Sequence, residues 1–201
     1  AIDIAFTVDS TKLSGKTVVV FEELYRYKTK VAAHADITDR GQTITFPDVN
    51  TEAHSVATGS HMGERSEKAV IIDTVSYSNL IPGKTYTLTG TLMNKATGKP
   101  IEQNGQEVTV SFEFTPEAAD GTAQMTFEVD STALAGETVV VFEELYRNGV
   151  LVGCHADISD EGQSIYFPEI STTAMDSETK DNQGHTAKEV TVIDTVKYEN
   201  L

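Results

Sequence analysis

Residues that can move protons or form a covalent bond recur along this chain at one constant spacing. Three of them occur first as Glu22, His34 and Gln42 and again, 121 positions later, as Glu143, His155 and Gln163. Two more, Thr51 and Asp73, return at the same spacing as Thr172 and Asp194. Carboxyl and imidazole groups accept and return protons, and a hydroxyl can attack a carboxamide when a base takes its proton and a donor stabilises the oxyanion. Each of these residues alone would also suit an ordinary strand or turn. The hypothesis of a reactive site therefore depends on the recurrence of the whole set.

This repeat organises the whole chain. The nine residues VVVFEELYR stand at 18–26 and again at 139–147, and IDTVSYSNL at 72–80 returns as IDTVKYENL at 193–201. The spacing predicts that residues 1–48 are the C-terminal part of one repeat, residues 49–169 a complete repeat and residues 170–201 the N-terminal part of the next. The partial copies lack equivalents of residues 81–121. A repeat of this length is a whole domain rather than a solenoid unit.

Apolar and polar residues alternate with a period of two inside the complete repeat. The alternation is clear in TYTLTGTLM, VTVSFEF and QMTFEV, and it predicts half-buried strands. Turn signals separate these stretches at Pro82-Gly83, Gly98, Asn104-Gly105 and Asp120-Gly121, and STALAG at 131–136 suits a short turn. The sequence therefore predicts an all-β, antiparallel sandwich without a substantial helix.

The composition excludes several classes of function. Lys and Arg number 15 against 31 Asp and Glu, and the net charge of -16 repels phosphates and anionic lipid, so we expect neither a nucleic-acid partner nor a membrane partner. Cys154 is the single cysteine, which rules out an intramolecular disulfide. There is no apolar run of about 18 residues and no charged leader, so we expect a segment that begins within a longer protein.

Four motifs in a fixed order give the chain a specific resemblance. An I-x-T-x-A segment, the IDTVxYxNL stretch, VVFEEL and HADIxDxGQ together resemble the ester-bond-forming, VaFE-type immunoglobulin-like repeats of Gram-positive surface proteins. The resemblance covers the whole chain. It implies tandem immunoglobulin-like sandwiches in which Thr51 attacks the carboxamide of Gln163, releases ammonia and leaves an ester cross-link.

Three residues are candidates to assist this reaction. We assign Asp73 and Glu143 to an acid–base pair, because two carboxyl groups in one apolar site cannot both ionise easily. Strand alternation alone does not choose between Glu143 and Glu144, and only the F-E position of the resembling repeats favours Glu143. For His155 three roles stay open: polarising the amide, donating to the oxyanion or protonating the ammonia.

The partial copies hold complementary halves of the predicted site. The first part carries an electrophile with its helpers, and the last part carries a nucleophile with its aspartate: Glu22, His34, Gln42, Thr172, Asp194. One hypothesis is that Gln42 and Thr172 of neighbouring chains react head to tail. One departure also stands out, because Asp176 of the last part is replaced by Ser55 in the complete repeat.

Four other kinds of chemistry are alternatives. A calcium loop at Asp157–Gly162 fails because Pro168 stands at the twelfth position, and Cys154-His155 lacks a second ligand pair for zinc, so we expect no metal and no cofactor. A Lys–Asn isopeptide bond would need a lysine that recurs in both copies, and none does. A carboxylate-pair hydrolase remains formally open, although the chain has no tryptophan for sugar stacking.

These observations lead to one functional expectation. The chain is expected to be a structural stalk domain of an extracellular, cell-wall-anchored adhesin, stabilised by its own Thr51–Gln163 ester bond. It would perform one autocatalytic turnover rather than act as an enzyme. Its expected partners are neighbouring repeats of the same protein, and the sequence does not name a host ligand.

Overall fold

Strands dominate the computed structural model, which describes residues 1–201. The one helical segment is a single 3₁₀ turn at Arg40–Gln42. All ladders between strands are antiparallel. The predicted all-β class is therefore confirmed.

The first part of the chain forms two small sheets. Strand β1 (Thr17–Val19) pairs with β4 (Thr43–Thr45), and β2 (Glu22–Arg26) pairs with β3 (Thr29–His34). Residues 1–9 belong to no helix or strand. The first part thus lacks a second layer of its own.

The middle of the chain is a two-layer sandwich. One layer has the order β12–β6–β5, formed by β5 (Asp48–Ser55), β6 (Ala69–Ser78) and β12 (Gly121–Val129). The other has the order β11–β7–β13–β14, formed by β7 (Tyr86–Asn94), β11 (Thr109–Phe114), β13 (Thr138–Arg147) and β14 (Val150–His155). At its margins, β8 (Lys99–Pro100) pairs with β7 and β15 (Ser164–Tyr166) pairs with β13, while β9 (Glu102–Gln103) and β10 (Gln106–Glu107) form a separate hairpin.

The core lies between these two layers, where the alternating strands turn their apolar faces toward each other. Its fully buried side chains come from both sheets and include Ile71, Val75, Phe127, Leu88, Leu92, Val141 and Leu145. Burying a side chain of this size contributes about 1.5–3 kcal/mol. Gly90 on β7 is part of the fit, because a Cβ there would stand 2.7 Å from Phe127 Cζ and from Met125 Cε.

The turns follow the sequence signals with two differences. Asn104 and Gly105 both have positive φ, as a tight two-residue hairpin turn requires, and Gly83 and Gly98 are also left-handed. Gly121, by contrast, is already the first residue of β12 and lies against the Tyr77 ring. Asn148-Gly149 forms a second positive-φ hairpin turn between β13 and β14, and its Asn-Gly signal was not among the predicted turns.

The last part of the chain is one long hairpin. Strand β16 (Glu169–Asp176) pairs with β17 (Val192–Glu199) in the same register as β5 with β6, so that Ala174 faces Asp194 as Ala53 faces Asp73. No further strand pairs with this hairpin. Its apolar residues consequently remain on the surface.

The three parts are joined by short hydrogen-bonded junctions. At the first junction Asn79 Nδ2 donates to Phe46 O at 3.2 Å. Within the first part, Ser14 Oγ donates at 2.6 Å to Oδ1 of Asp48, the residue at which β5 begins. At the second junction Asn200 Nδ2 donates to Gly136 O at 2.6 Å. Asn79 and Asn200 stand one repeat apart, so the same asparagine is used at both junctions.

Candidate cross-link site

The sandwich brings four of the predicted residues together between its two layers. Thr51 on β5 and Asp73 on β6 come from one sheet. Glu143 on β13 and Gln163, which directly precedes β15, come from the other. Asp73, Glu143 and Gln163 are each 0% exposed, and Thr51 is half-buried.

Strand pairing explains how the polar groups enter an apolar interior. Asp73 lies on the core face of β6, between Ile71 and Val75, and Glu143 lies on the core face of β13. Glu144, one position on, points outward and accepts a hydrogen bond from the Tyr146 hydroxyl. The structure thus separates two neighbouring glutamates that strand alternation left equivalent.

The nucleophile and the carboxamide are already in contact. Gln163 Nε2 lies 2.5 Å from Thr51 Oγ1 and 2.5 Å from Glu143 Oε2. The Thr51 hydroxyl donates to the same Glu143 Oε2 at 3.2 Å. One carboxyl oxygen therefore touches both the hydroxyl that would lose a proton and the nitrogen that would gain it.

Burial makes the carboxyl pair hold a proton at neutral pH. Loss of hydration, together with the charge of the neighbouring Asp73, raises the pKa of Glu143 to about 10. Burial also raises the pKa of Asp73 to about 6, against the opposing effect of its hydrogen bond with Glu143. Between these values the pair carries one proton and one negative charge.

That shared proton gives a hydrogen-bond partner to Glu143 Oε1 and to one of the two Asp73 oxygens. Glu143 Oε1 and both Asp73 carboxyl oxygens are buried without a donor when both groups are ionised. A proton held between the two carboxyl groups satisfies this side of Glu143 and leaves Oε2 free to face Thr51 and Gln163. Gln163 Oε1 is also buried without a partner, which leaves the carbonyl oxygen of the reacting amide unsatisfied.

His155 lies beside the site but does not hydrogen-bond to either reacting side chain. Its Nδ1 lies 3.1 Å from the carbonyl oxygen of Val49, two residues before Thr51 on β5. Its Nε2 lies 2.8 Å from Asp160 Oδ2, while Asp160 Oδ1 accepts the Gly162 N–H at 2.7 Å. This chain of contacts links the strand of the nucleophile to the residue before Gln163.

Asp160 is the member of this arrangement that was not among the predicted site residues. It recurs as Asp39 in the first part of the chain, where it binds His34 at the same 2.8 Å and accepts the Gly41 N–H. The recurrence of an aspartate three residues before the glutamine was the available signal. The hydrogen bond from His155 lowers the pKa of Asp160, so the carboxylate stays ionised.

In residues 1–48 the residues of the predicted half-site make the same contacts as their equivalents in the complete repeat. Gln42 Nε2 donates to Glu22 Oε2, as Gln163 does to Glu143, and Gln42 Oε1 is buried without a partner. His34 is paired with Asp39, but its side chain is 56% exposed. The threonine and the aspartate of the set are missing here.

The half-site in residues 170–201 is open to solvent. Thr172 and Asp194 lie on β16 and β17 at the register positions of Thr51 and Asp73, and both are exposed. Asp176 is instead buried, and hydrogen bonds from the Glu178, His185 and Thr179 backbone N–H groups lower its pKa. Its partner His185 lies 2.8 Å away.

The departure at Ser55 is compensated within the complete repeat. The equivalent of His185 is Glu64, and Ser55 Oγ donates to Glu64 Oε2 at 3.3 Å. An Asp–His pair in one copy is thus a Ser–Glu pair in the other. The same loop is closed by different groups.

The structure holds no group of three or more His, Cys, Asp and Glu side chains placed to bind a metal ion. Nor does it contain a helix with the length and apolar character of a membrane span.

Comparison with known proteins identifies relatives of this site and fold. The family described as T-Q ester bond containing domain matches the chain in three segments, residues 1–46, 47–167 and 168–201. No curated protein matches the chain.

Solved structures with a similar fold include a bacterial adhesin from Mobiluncus mulieris that contains intramolecular disulfide, isopeptide and ester bond cross-links. Its P21 crystal form aligns with a TM-score of 0.53 and 14% identity, over 77% of this chain and 76% of that one. Its P1 form aligns with a TM-score of 0.51 and 15% identity over the same shares. Likeness at this level concerns the fold, which is the immunoglobulin-like sandwich expected from the sequence.

The family match extends over the whole chain and includes the segment in which Thr51 and Gln163 are in contact. The chain belongs to the family of T-Q ester bond containing domains.

Proposed function

We propose that residues 49–169 form an intramolecular ester bond between Thr51 and Gln163 without the help of an enzyme. One observation carries the proposal: a single Glu143 oxygen lies within 3.2 Å of the Thr51 hydroxyl and 2.5 Å of the Gln163 nitrogen. The hydroxyl and the carboxamide are themselves in contact. Acyl transfer needs this combination of nucleophile, electrophile and proton carrier.

The proposed reaction moves one proton and exchanges one bond. Thr51 Oγ1 attacks Gln163 Cδ while its proton passes to Glu143 Oε2 and the proton that Glu143 shared with Asp73 moves onto Asp73. Glu143 then gives a proton to Gln163 Nε2, the Cδ–Nε2 bond breaks, and ammonia leaves. The carboxyl pair ends with the same single proton that it held at the start, so nothing is consumed except the amide.

Folding holds the reacting groups of Thr51 and Gln163 in contact, and this proximity supplies most of the rate enhancement. Reacting groups that are held in contact reach effective molarities of about 10⁵–10⁸ M, which suffices for a single slow turnover. Ammonia that escapes into water is protonated there, so the reverse reaction loses its nucleophile. An ester carbonyl is also a weaker hydrogen-bond acceptor than an amide, which lowers the cost of the unpartnered Gln163 oxygen.

The alternatives receive less support. A hydrolase acting on external substrates would have to admit them to Asp73 and Glu143, which are both 0% exposed. A Lys–Asn isopeptide bond would need a buried lysine, and every lysine is exposed except the half-buried Lys95, which contacts Ser164. We therefore propose single-turnover cross-linking rather than enzymatic activity.

At the biological level we propose a structural domain in the stalk of an extracellular surface adhesin that is anchored to a Gram-positive cell wall. The similarity in fold to a cross-linked adhesin from Mobiluncus mulieris supports a surface role. The hydrogen-bonded junctions at Asn79 and Asn200 support neighbouring repeats as its partners. An ester bond from β5 to the segment before β15 would tie together the first and last strands of the domain, so that a pulling force bypasses its core.

Intact-mass measurement of the purified chain tests the proposal. We expect the wild type to fall short of its sequence mass by one ammonia, and Thr51→Ala to show the full mass. Thr109→Ala, which removes an exposed threonine on β11, serves as the matched control and should keep the deficit. A wild-type chain of full mass would overturn the proposed cross-link.

A further inference from the structure

We propose that residues 56–63 act as a strap that keeps water away from the Thr51–Gln163 ester and so determines how long the bond lasts. The inference rests on the proposed function, because it concerns the fate of the bond after it has formed. The strap leaves β5 at Ser55 and crosses to β15, which follows Gln163 directly. It therefore bridges the two stretches of chain that the ester joins.

The strap covers the side of β15 that does not pair with β13. The Tyr166 N–H donates to His61 O at 2.8 Å, and the Gly63 N–H donates to Tyr166 O at 2.7 Å. His61 Nδ1 lies 3.0 Å from the carbonyl oxygen of Ser164. With β13 on one side and the strap on the other, Gln163 and Ser164 are both fully buried.

A hydrogen bond within the strap recurs one repeat later. Thr58 Oγ1 donates to Met62 O at 2.6 Å, and at the equivalent positions Thr179 Oγ1 donates to Gln183 O at 2.7 Å. The two segments otherwise differ in sequence, VATGSHMG against SETKDNQG. The shape of the strap is therefore set by its own residues, and a change at its contact with β15 should shift the strap without unfolding it.

Gly63 lets the strap lie close against the domain. A Cβ at this position would overlap the ring of Phe167, which is itself buried. The φ of Gly63 is not positive, so glycine is needed here for close approach rather than for the backbone conformation. A side chain at this position would push away either the strap or the ring, and either shift would loosen the contact.

Thr51 lies between two closures along β5. Two residues before it, the Val49 carbonyl meets His155 of β14, and four residues after it the strap begins at Ser55. These contacts hold the two stretches of chain together on both sides of the reacting groups. Loosening the strap therefore opens one of the two closures.

Water must be excluded because the carboxyl pair can activate it as readily as it activates a threonine hydroxyl. A water oxygen would bond to Gln163 Cδ, the bond from Cδ to Thr51 Oγ1 would break, and a water proton would pass through Glu143 to Thr51 Oγ1. The products are a free threonine and a glutamate side chain at position 163. The bond does not form again, because a carboxylate is a poor electrophile. An enclosed site prevents this loss.

Substitution of Gly63 with Ala tests the strap. The matched control is Gly121→Ala, which also adds a methyl group against an aromatic ring, that of Tyr77, at the start of β12. In timed intact-mass measurements at neutral pH, we expect the wild type and Gly121→Ala to keep the deficit of one ammonia. Gly63→Ala should begin with the same deficit and then gain one water, about tenfold faster than the wild type or more. In water labelled with heavy oxygen, peptide mapping should find the label at position 163.

His61→Ala serves as a second variant, because it removes the contact with Ser164 without adding bulk. It should also gain water faster than the wild type, and circular dichroism reports whether each variant is folded. Deficits that last as long in both variants as in the wild type would overturn the strap. A folded variant that shows the full mass from the start would assign the strap to bond formation instead, and would also overturn the inference. A wild type of full mass would contradict the proposed function itself.

Discussion

At the scale of single residues, the site depends on two carboxyl groups that share one proton. Glu143 and Asp73 are buried to the same extent, but the pKa of Glu143 is raised to about 10 and that of Asp73 to about 6. Glu143 therefore keeps its proton while Asp73 carries the charge. Because Glu143 Oε2 contacts both reacting groups, a neutral Glu143 can pass protons without leaving a second charge in the core.

Replacing Glu143 with Gln should abolish cross-linking. A carboxamide keeps the shape and the hydrogen-bonding capacity of the side chain, but it cannot relay the proton from Thr51 to Gln163. General acid–base assistance accounts for about 10²–10⁴-fold in rate. Intact mass after refolding should show the full sequence mass for Glu143→Gln, whereas the exposed Glu144→Gln should keep the ammonia deficit; equal deficits in both would show that Glu143 is dispensable.

The rate of cross-linking should depend on pH in the form of a bell. Below about 6 both carboxyl groups are protonated and no base remains, while above about 10 both are ionised and no acid remains to protonate the leaving nitrogen. Refolding unlinked chain from denaturant at a series of pH values, with mass spectrometry at timed intervals, measures this rate. A rate that stays constant from pH 5 to pH 8 would contradict the assignment of the carboxyl pair.

The same pKa values fix the sign of the pH effect on stability before the bond forms. Both groups have folded-state pKa values above their ordinary ones, so ionising them costs more in the folded chain than in the unfolded chain. Their favourable contribution is present below the ordinary carboxyl pKa and is lost as pH rises through about 6 and then about 10. The unlinked fold is thus weakened by the charge that makes Asp73 a base.

At the scale of elements, the site requires that β5, which carries Thr51, stays in contact with the segment that carries Gln163. The Ala53 N–H donates to Gly162 O at 2.9 Å, and His155 joins the Val49 carbonyl to Asp160. In residues 1–48 the same His–Asp pair is formed although no strand equivalent to β5 is present. The His–Asp contact therefore forms from local residues and does not require the strand that carries the nucleophile.

Replacing Asp160 with Ala should slow cross-linking without preventing folding. The change frees His155 and the Gly162 N–H, so the segment before Gln163 loses its fixed position relative to β5. A misplacement of about 1 Å can cost about 10²-fold in rate. The timed loss of ammonia measures the effect, and circular dichroism reports whether folding itself is unchanged.

Asp157→Ala is the matched control, because Asp157 lies in the same loop but its side chain hydrogen-bonds only to Ser159. It should cross-link at the wild-type rate. If Asp160→Ala also reacts at that rate, the contact through His155 does not position the reacting groups.

At the scale of the whole molecule, the bond would close most of the complete domain into one covalent loop. Thr51 and Gln163 are 112 positions apart and lie near the two ends of residues 49–169. The junctions at Asn79 and Asn200 attach this closed unit to its neighbours by short hydrogen bonds. In a tandem chain of such units, the ester bond of each domain would carry a pulling force that would otherwise act on the hydrophobic core.

Removing the bond should lower the stability of the complete domain. A cross-link over a loop of this length removes about 4–5 kcal/mol of denatured-state entropy, so Thr51→Ala should unfold at a clearly lower temperature and denaturant concentration than the wild type. Chemical denaturation followed by circular dichroism measures the difference. Thr109→Ala controls for the loss of a strand threonine, and equal midpoints for Thr51→Ala and wild type would refute a structural role.

Much of this arrangement could be predicted from the sequence because the signals are periodic. The alternation in TYTLTGTLM and QMTFEV sets which side chains enter the core. The repeat, together with the resemblance to ester-bond-forming repeats, points to the set Thr51, Asp73, Glu143, His155 and Gln163. The Asn148-Gly149 turn and the recurring Asp160 were equally readable but were not predicted. In both cases the signal was a short local pattern.

What the sequence alone determined is the composition of the site: which residues recur, on which strands, and in what order. The choice between Glu143 and Glu144 needed the tertiary structure, because both faces of β13 carry apolar residues and only the packing of the two sheets buries one of them. The contacts of His155 needed it as well, since they join residues 106 positions apart. The pKa of Glu143 also depends on the tertiary structure. Burial and a neighbouring charge from another strand, rather than the residue type, raise this pKa.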